Sequence, residues 1–222
     1  MKNSQKIIFY FDFISPYVYM AWKPFVALAE RNKVDIECVP VLFAGLLNAS
    51  GQKGPAEIPA KREYVWTEMF RWGILHDTTV KGPPTHPFNP LPSLRICEAV
   101  EDPALKLKLG TALTKACWEE GKDISDLNVL KELADRSGLD GAKLLAKIQD
   151  PAIKQRIKQN TDDAIAKGVF GVPTFRVGQE IFWGHDRLDQ LEKYLRGELN
   201  IDEKLFHEML GRPRAVDRKQ IG

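Results

Sequence analysis

The sequence predicts an α/β protein in which a large all-helical insertion separates an initial βαβ unit from a final ββα unit. Three observations predict this order. Residues 7–13 are an apolar run typical of a buried strand, prolines and glycines bound helical segments between residues 60 and 167, and a hairpin pattern begins after residue 169. With 222 residues and 44% hydrophobic content, the chain can bury a core and is expected to be globular.

Charge and cysteine content restrict the classes of partner. Lys and Arg number 32 against 30 Asp and Glu, which gives no broad electrostatic reason to expect nucleic acid. No uncharged apolar run approaches the roughly 20 residues that span a bilayer, and Asp12 interrupts the first apolar run too early for a secretory signal. Cys38, Cys97 and Cys117 show neither a CxxC pair nor a metal-ligand spacing and are interpreted as small core residues. We therefore expect a cytoplasmic protein with no nucleic-acid or membrane partner and no bound metal.

The first unit is a strand, a helix and a second strand. Residues 7–13 form the first strand, and Ser15-Pro16 predicts a helix start, because a serine hydroxyl can accept from a free N–H and proline suits the first helical position. The helix is expected over residues 16–31. Alternating apolar residues over 34–38 predict a second strand that is parallel to the first.

A loop and a helical block follow. Glycines and prolines between residues 43 and 59 predict a loop with one short helical turn near residues 44–48. Beyond this loop, six helical segments are expected, at residues 60–72, 92–100, 103–120, 127–136, 141–147 and 151–167.

The final unit is a hairpin and a helix. Residues 171–177 and 180–183, joined by Gly178-Gln179, carry a hairpin signature. Apolar residues then recur on one face of a helix over residues 186–195, with Asp186 placed to serve its amino end. The complete order is that of a thioredoxin-like fold with a large all-helical insertion.

This order divides the chain into four parts. We expect a thioredoxin-like domain in two halves, residues 1–57 and 169–197, a helical insertion domain over residues 58–168, and a C-terminal extension over residues 198–222. Four apolar residues of the extension predict a short docking helix: Leu205, Phe206, Met209 and Leu210. Residues 211–222 are interpreted as a solvated tail.

The turn after the first strand carries the main chemical signal. Redox-active thioredoxin folds place two cysteines at this turn, whereas this chain has Ser15-Pro16-Tyr17-Val18, so dithiol–disulfide exchange is excluded here. The helix start still offers unpaired N–H groups, a partial positive charge and one hydroxyl, which suit the thiolate of another molecule. Glutathione is the abundant cytosolic candidate, with a thiol pKa expected near that of free cysteine, about 8.5. The alternative is that Ser15 only caps the helix.

Three further segments suit a bound tripeptide. A cis proline at Pro173 would leave the backbone of Val172 free to pair with an extended peptide, the alternative being an ordinary trans proline. Asp186 could hold an ammonium group or cap a helix, and Arg187 could contact a carboxylate or lie in solvent. A lysine between residues 52 and 61 could meet a carboxylate of the peptide or of a substrate.

Four segments together carry a family resemblance. Residues 11–17, 59–61, 168–174 and 182–188 resemble the 2-hydroxychromene-2-carboxylate isomerase family, relatives of kappa-class glutathione transferases within the DsbA-like thioredoxin superfamily. The resemblance covers about residues 7–196. It implies that glutathione lies with its sulfur beside catalytic Ser15. The glutathione-binding residues that it implies are Ser15, Gln52, Lys61, Val172, Pro173, Asp186 and Arg187. Relatives often have asparagine where this chain has Gln52, and asparagine or serine where it has His185.

The substrate pocket is expected between the thioredoxin part and the insertion. The residues expected to line it are Tyr17, Tyr64, His86 and Asn89, with Phe43, Trp66 and Trp72 as further candidates. Aromatic residues at helical spacing, such as Trp72, are more often core or dimer interface. His86 could act on a substrate proton or be a loop histidine without a role.

The resemblance implies a glutathione-dependent cis–trans isomerase of the 2-hydroxychromene-2-carboxylate and trans-o-hydroxybenzylidenepyruvate type. Its small aromatic substrate would be a conjugated enone, to which a thiolate adds reversibly. The alternatives are a kappa-like transferase or peroxidase, and a non-catalytic thioredoxin-fold binding module. A homodimer is expected by analogy alone.

Overall fold

A four-stranded mixed sheet forms the centre of the molecule in the computed structural model, which describes residues 6–214. The strands are β1 Lys6–Phe11, β2 Asp35–Pro40, β3 Thr174–Val177 and β4 Glu180–Trp183, in the order β2-β1-β3-β4. β1 pairs in parallel with β2 and antiparallel with β3, and β4 pairs antiparallel with β3. The predicted βαβ…ββα order is confirmed.

Ten helices complete the described chain. They are α1 Pro16–Asn32, α2 Phe43–Ser50, α3 Pro59–Leu75, α4 Leu91–Glu98, α5 Pro103–Trp118, α6 Leu127–Arg136, α7 Gly141–Lys147, α8 Pro151–Ala166, α9 Leu188–Leu195 and α10 Glu203–Leu210. Two 3₁₀ turns lie at Pro55–Glu57 and His185–Arg187. Proline opens α1, α3, α4, α5 and α8, where the missing N–H removes a donor that has no helical partner. An aspartate side chain caps each of α5 to α8 and also α10.

Several predicted boundaries are corrected. β1 ends at Phe11 rather than at residue 13, because a turn starts at Asp12, whose carbonyl accepts the Ser15 N–H. The loop predicted over residues 43–59 contains an eight-residue helix, α2, which buries Leu46 and Leu47 and ends at a left-handed Gly51. β3 starts at Thr174 rather than at residue 171.

The core is one continuous cluster that includes residues of the sheet and of the helical segment. Its centre is aromatic: the ring of Phe9 lies 5.1 Å from that of Phe175, stacked, and 4.9 Å from that of Phe25. Trp118 and Leu130 of the helical segment belong to the same cluster. The three cysteines are free and buried, as predicted.

The C-terminal extension differs from the prediction of a docking helix. α10 forms, but its apolar residues stay exposed, Phe206 at 43% and Leu210 at 67%. Nothing in the described chain buries them. Most of the predicted tail, residues 215–222, lies outside the described residues. Within residues 6–214, no helix combines the length and hydrophobicity needed to cross a bilayer.

Candidate functional site

A cavity of about 470 Å³ lies beside the amino end of α1. Its walls come from the turn at residues 12–17, from α2 and the first turns of α3, from the loop before α4, and from residues 170–172. It brings together eight of the residues singled out from the sequence: Ser15, Tyr17, Phe43, Gln52, Lys61, Trp66, His86 and Val172. The cavity therefore joins the sheet region to the helical segment, where a pocket was expected.

Ser15 occupies the N-cap position of α1 but does not cap the helix with its side chain. Its backbone is extended, with φ −87° and ψ 119°, and Pro16 follows at the first helical position. Its hydroxyl accepts no capping hydrogen bond from the described helix, and the residue is only 5% exposed. Ser15 lines the cavity, and its hydroxyl makes no hydrogen bond within residues 6–214, so it can serve a ligand. This geometry argues against the alternative of a helix cap alone.

Asp12 holds the turn at residues 12–17 through hydrogen bonds of its buried carboxylate. Its carboxylate is fully buried, with Oδ1 accepting the Ile14 N–H at 3.1 Å and Oδ2 accepting the Phe43 N–H at 2.9 Å. Desolvation raises the pKa of Asp12 to about 7, against the opposing effect of these two hydrogen bonds. One carboxylate thus joins the Ser15 turn to the start of α2.

Two side chains of the helical segment hold the same turn. His86 Nε2 donates to the Ile14 carbonyl at 3.0 Å, and Trp118 Nε1 donates to the Phe13 carbonyl at 3.0 Å. The His86 ring packs edge-on against Trp66, with centroids 5.4 Å apart. Burial lowers the pKa of His86, so the neutral ring with its proton on Nε2 is favoured. His86 therefore has a positioning role that the sequence did not reveal.

Tyr17 connects the cavity to the Asp186 region. Its hydroxyl donates to Glu68 of α3 at 2.7 Å, and its ring stacks on His185 at 5.2 Å. Burial and the Glu68 contact both raise the pKa of Tyr17, so its hydroxyl stays protonated. Asp186 and Arg187 pair with each other at 2.6 Å and lie outside the cavity lining.

The start of the last helix also differs from the prediction. α9 begins at Leu188, and no side chain in the described chain caps it. Asp186 instead lies in the preceding 3₁₀ turn, after Gly184 with φ +114°. This backbone conformation favours glycine, because side chains rarely tolerate a φ of +114°. The predicted helix start at residue 186 is wrong, and within the described residues Asp186 makes no capping hydrogen bond to α9.

The segment before β3 forms the opposite wall. The Val172–Pro173 peptide bond is cis, as predicted. None of the backbone hydrogen bonds found outside helices and strands in the described chain uses the amide or carbonyl of Val172. Phe170 and Trp183 also line this wall, edge to face at 4.8 Å, and were missed because the sequence places them only in or beside a hairpin.

Three expected lining residues lie elsewhere. Tyr64 is 55% exposed on the surface of α3. Asn89 Oδ1 accepts the Leu91 N–H at 3.1 Å at the start of α4. Trp72 packs against Tyr19, at 5.5 Å between ring centroids. None of the three is among the residues that form the described cavity wall.

Cations collect at one side of the cavity. Lys53, Lys61 and Arg62 line it, and no carboxylate in residues 6–214 lies within ion-pairing distance of any of them. The carboxylate of Glu57 also lines the cavity, but its Oε1 accepts the Gly54 N–H at 2.6 Å. This side of the site can therefore receive a carboxylate.

Comparison with known proteins agrees with this architecture. A model of the DSBA-like thioredoxin domain matches residues 6–196. A 2-hydroxychromene-2-carboxylate isomerase from Sphingobium xenophagum is 32% identical over 194 residues, which is 86% of this chain and 98% of that protein. Glutathione S-transferase kappa 1 from Rattus norvegicus is 25% identical over 85% of this chain and 89% of its own. A solved structure of a 2-hydroxychromene-2-carboxylate isomerase superposes with a TM-score of 0.81 at 24% identity, covering 92% of this chain and 98% of that one. The chain belongs to the 2-hydroxychromene-2-carboxylate isomerase family, within the DSBA-like thioredoxin domains and related to the kappa-class glutathione transferases.

Proposed function

We propose that the protein is a glutathione-dependent cis–trans isomerase of conjugated aromatic enones, of the 2-hydroxychromene-2-carboxylate and trans-o-hydroxybenzylidenepyruvate type. One observation carries the proposal. Ser15 lines a cavity at the amino end of a 17-residue helix, its hydroxyl makes no capping hydrogen bond to the described helix, and the turn contains no cysteine. The names of the isomerase and kappa-transferase relatives support the chemical class. The proposal includes a cytoplasmic location and a homodimer, both by analogy with the family.

The residues present fit glutathione. The Ser15 hydroxyl and the positive end of α1 would stabilise a thiolate, and the free peptide group of Val172 would pair with the tripeptide backbone. Lys61 would meet one carboxylate. Asp186 and Arg187 would take the γ-glutamyl end, which requires their mutual ion pair to open toward the cavity. Gln52, at the cavity wall, would add an amide hydrogen bond.

Cis–trans isomerisation requires the carbon–carbon double bond of the enone to become transiently single so that rotation can occur. When bound beside Ser15, glutathione would supply a thiolate nucleophile for reversible addition to the conjugated double bond. The protein's own contribution is to keep the sulfur ionised through Ser15 and to exclude water through the aromatic walls.

Ser15→Ala tests the central claim. Removing the hydroxyl should raise the pKa of the bound thiol by about 1 to 2 units, because one hydrogen bond to a charged group contributes about 1.5–3 kcal/mol. Thiolate absorbance during a pH titration of the glutathione complex measures this pKa. Ser50→Ala is the matched control, since the Ser50 hydroxyl donates to the Leu46 carbonyl at 2.8 Å. An unchanged thiol pKa in Ser15→Ala would remove Ser15 from the mechanism, and a wild-type protein that does not bind glutathione would leave only a binding module.

A kappa-like transferase is the second candidate, favoured by the kappa-class relatives. It would use the same activated thiolate but release the glutathione adduct. Incubation with an aromatic enone separates the two activities. Isomerised product with undepleted glutathione indicates the isomerase, and accumulating conjugate indicates the transferase.

A further inference from the structure

The first turns of α3 present two different surfaces to the cavity. Four residues of this helix line it: Lys61, Arg62, Val65 and Trp66. Residues four apart on a helix are neighbours, so Arg62 lies beside Trp66, whereas Lys61 lies beside Val65. Arg62 therefore stands at the edge of the aromatic wall and Lys61 does not.

The aromatic wall leads from Arg62 to the Ser15 turn. Trp66 contacts the His86 ring, and His86 in turn donates to the carbonyl of Ile14, the residue before Ser15. The Arg62 charge also acts on this ring. Burial is the main cause of the lowered pKa of His86, and the positive charge of Arg62 lowers it further. A planar ligand lying along this wall would have one end at Ser15 and the other at the guanidinium.

The guanidinium is uncommitted. Among residues 6–214, no carboxylate forms an ion pair with Arg62, and the nearby Glu57 carboxylate is engaged by the Gly54 N–H. Glutathione has two carboxylates, and under the proposed function Lys61 and Arg187 meet them. This leaves Arg62 as a free bidentate donor at the edge of an apolar cavity, the arrangement that suits a planar carboxylate.

We propose that Arg62 is a specificity-determining residue that binds the carboxylate of the aromatic substrate, with the aromatic ring held against Trp66. The inference rests on the proposed function and adds to it the residue that selects anionic over neutral enones. Lys53 is the competing cation, but it comes from the loop before α3 rather than from the aromatic wall.

Binding of a matched pair of probes tests this assignment. trans-Cinnamate and cinnamamide have nearly the same shape, and only cinnamate carries a charge. Calorimetric titration of the glutathione-saturated protein should show cinnamate binding at least tenfold more tightly than cinnamamide. Arg62→Gln should abolish this preference, while Arg62→Lys should keep part of it because the charge remains but the paired donors are lost. Arg71→Gln, on an exposed part of the same helix, is the control and should leave the preference unchanged.

The experiment distinguishes failure of the Arg62 assignment from failure of the proposed function. Glutathione affinity is titrated first in each variant and should be unchanged by Arg62→Gln. Failure of the wild-type protein to bind glutathione contradicts the proposed function itself. Normal glutathione binding with no preference for cinnamate, or a preference lost in Lys53→Gln but kept in Arg62→Gln, overturns the assignment of Arg62. As a second readout, Arg62→Gln should lower kcat/KM for cis-benzylidenepyruvate about tenfold to a hundredfold and leave that for its methyl ester nearly unchanged.

Discussion

At the scale of single residues, the buried carboxylate of Asp12 makes stability depend on pH. Its pKa is raised from 3.8 to about 7, so between these values the folded protein keeps a proton that the unfolded chain has lost. The contribution of Asp12 to stability should therefore fall as pH rises through this window, with a ceiling on the order of 4 kcal/mol. Urea unfolding at a series of pH values measures this slope.

Asp12→Asn should remove that slope. The slope disappears because an amide cannot ionise. The amide NH₂ group would face one of the two backbone N–H donors from which Asp12 now accepts, and this lost hydrogen bond should lower stability by about 1–3 kcal/mol at every pH. The exposed Asp189→Asn is the control and should retain the wild-type slope. An Asp12→Asn protein whose stability still falls between pH 4 and 7 as steeply as the wild type would contradict the assignment.

Sequence reasoning at this scale predicted the cavity residues whose placement follows from local position. Ser15 and Val172 were found because a helix start and a strand start place them at the same end of the sheet. Asp12, Trp183 and Arg62 were missed, since their surroundings are built by segments far away in the chain. For Asp12, the one signal in the sequence was its position as a carboxylate at the end of an apolar strand.

At the scale of elements, an ion-pair cluster joins α1 to α9. Glu192 accepts from Arg31 Nε at 2.7 Å and Nη2 at 2.6 Å, and also from Asn32 and Arg196. These contacts, that from Arg31 foremost, lower the pKa of Glu192 to about 2. The carboxylate therefore contributes stability that is complete above pH 4.5 and is lost as pH falls toward 2.

Glu192→Gln should lower the free energy of unfolding at neutral pH by about 1–2 kcal/mol, a figure reduced for solvent screening because the Arg31 side chain is 49% exposed. Denaturant unfolding at pH 7 and pH 3 measures the loss, which should shrink at the lower pH. Glu198→Gln, just beyond α9, is the control. An equal loss at both pH values would show that the charge of Glu192 is not what joins the two helices.

The elements themselves were largely predictable, because most boundaries have a chemical marker. In the described chain, proline opens five helices and aspartate caps five, and α6 and α7 were predicted with their exact bounds. α2 was underestimated, since Gly45 and Asn48 weaken its local propensity while the burial of Leu46 and Leu47 stabilises it. The full length of α2 therefore depends on tertiary packing rather than on local helix propensity.

At the scale of the whole molecule, the continuous core predicts a single cooperative unfolding transition. The helical segment and the sheet share one buried cluster, and Trp118 reaches from the helices to the Phe13 carbonyl. Trp118→Phe should lower the free energy of unfolding by about 2–4 kcal/mol through a cavity and an unpaired carbonyl. Far-ultraviolet circular dichroism and tryptophan fluorescence should report the same midpoint. Two separated transitions would contradict the shared core.

Under the proposed function, Trp118→Phe should also weaken glutathione binding several-fold, because the Ser15 turn loses one of its two hydrogen bonds from the helical segment. Trp22→Phe is the matched control: its indole donates to Thr111 at 2.9 Å instead of to the turn. That variant should lose stability without losing affinity for glutathione. Equal affinity losses in both variants would mean that the hydrogen bond to Phe13 has no special role.

The hydrogen bond from His86 to Ile14 has a consequence for protein engineering. The His86 ring lines the cavity, while its Nε2 donates to the Ile14 carbonyl in the turn that carries Ser15. Under the proposed function, enlarging the pocket at position 86 would also loosen the turn that holds the thiolate, so substrate range and thiol reactivity cannot be tuned separately there. Directed-evolution libraries that vary this position should screen both traits together, or pair it with a new anchor for the Ile14 carbonyl.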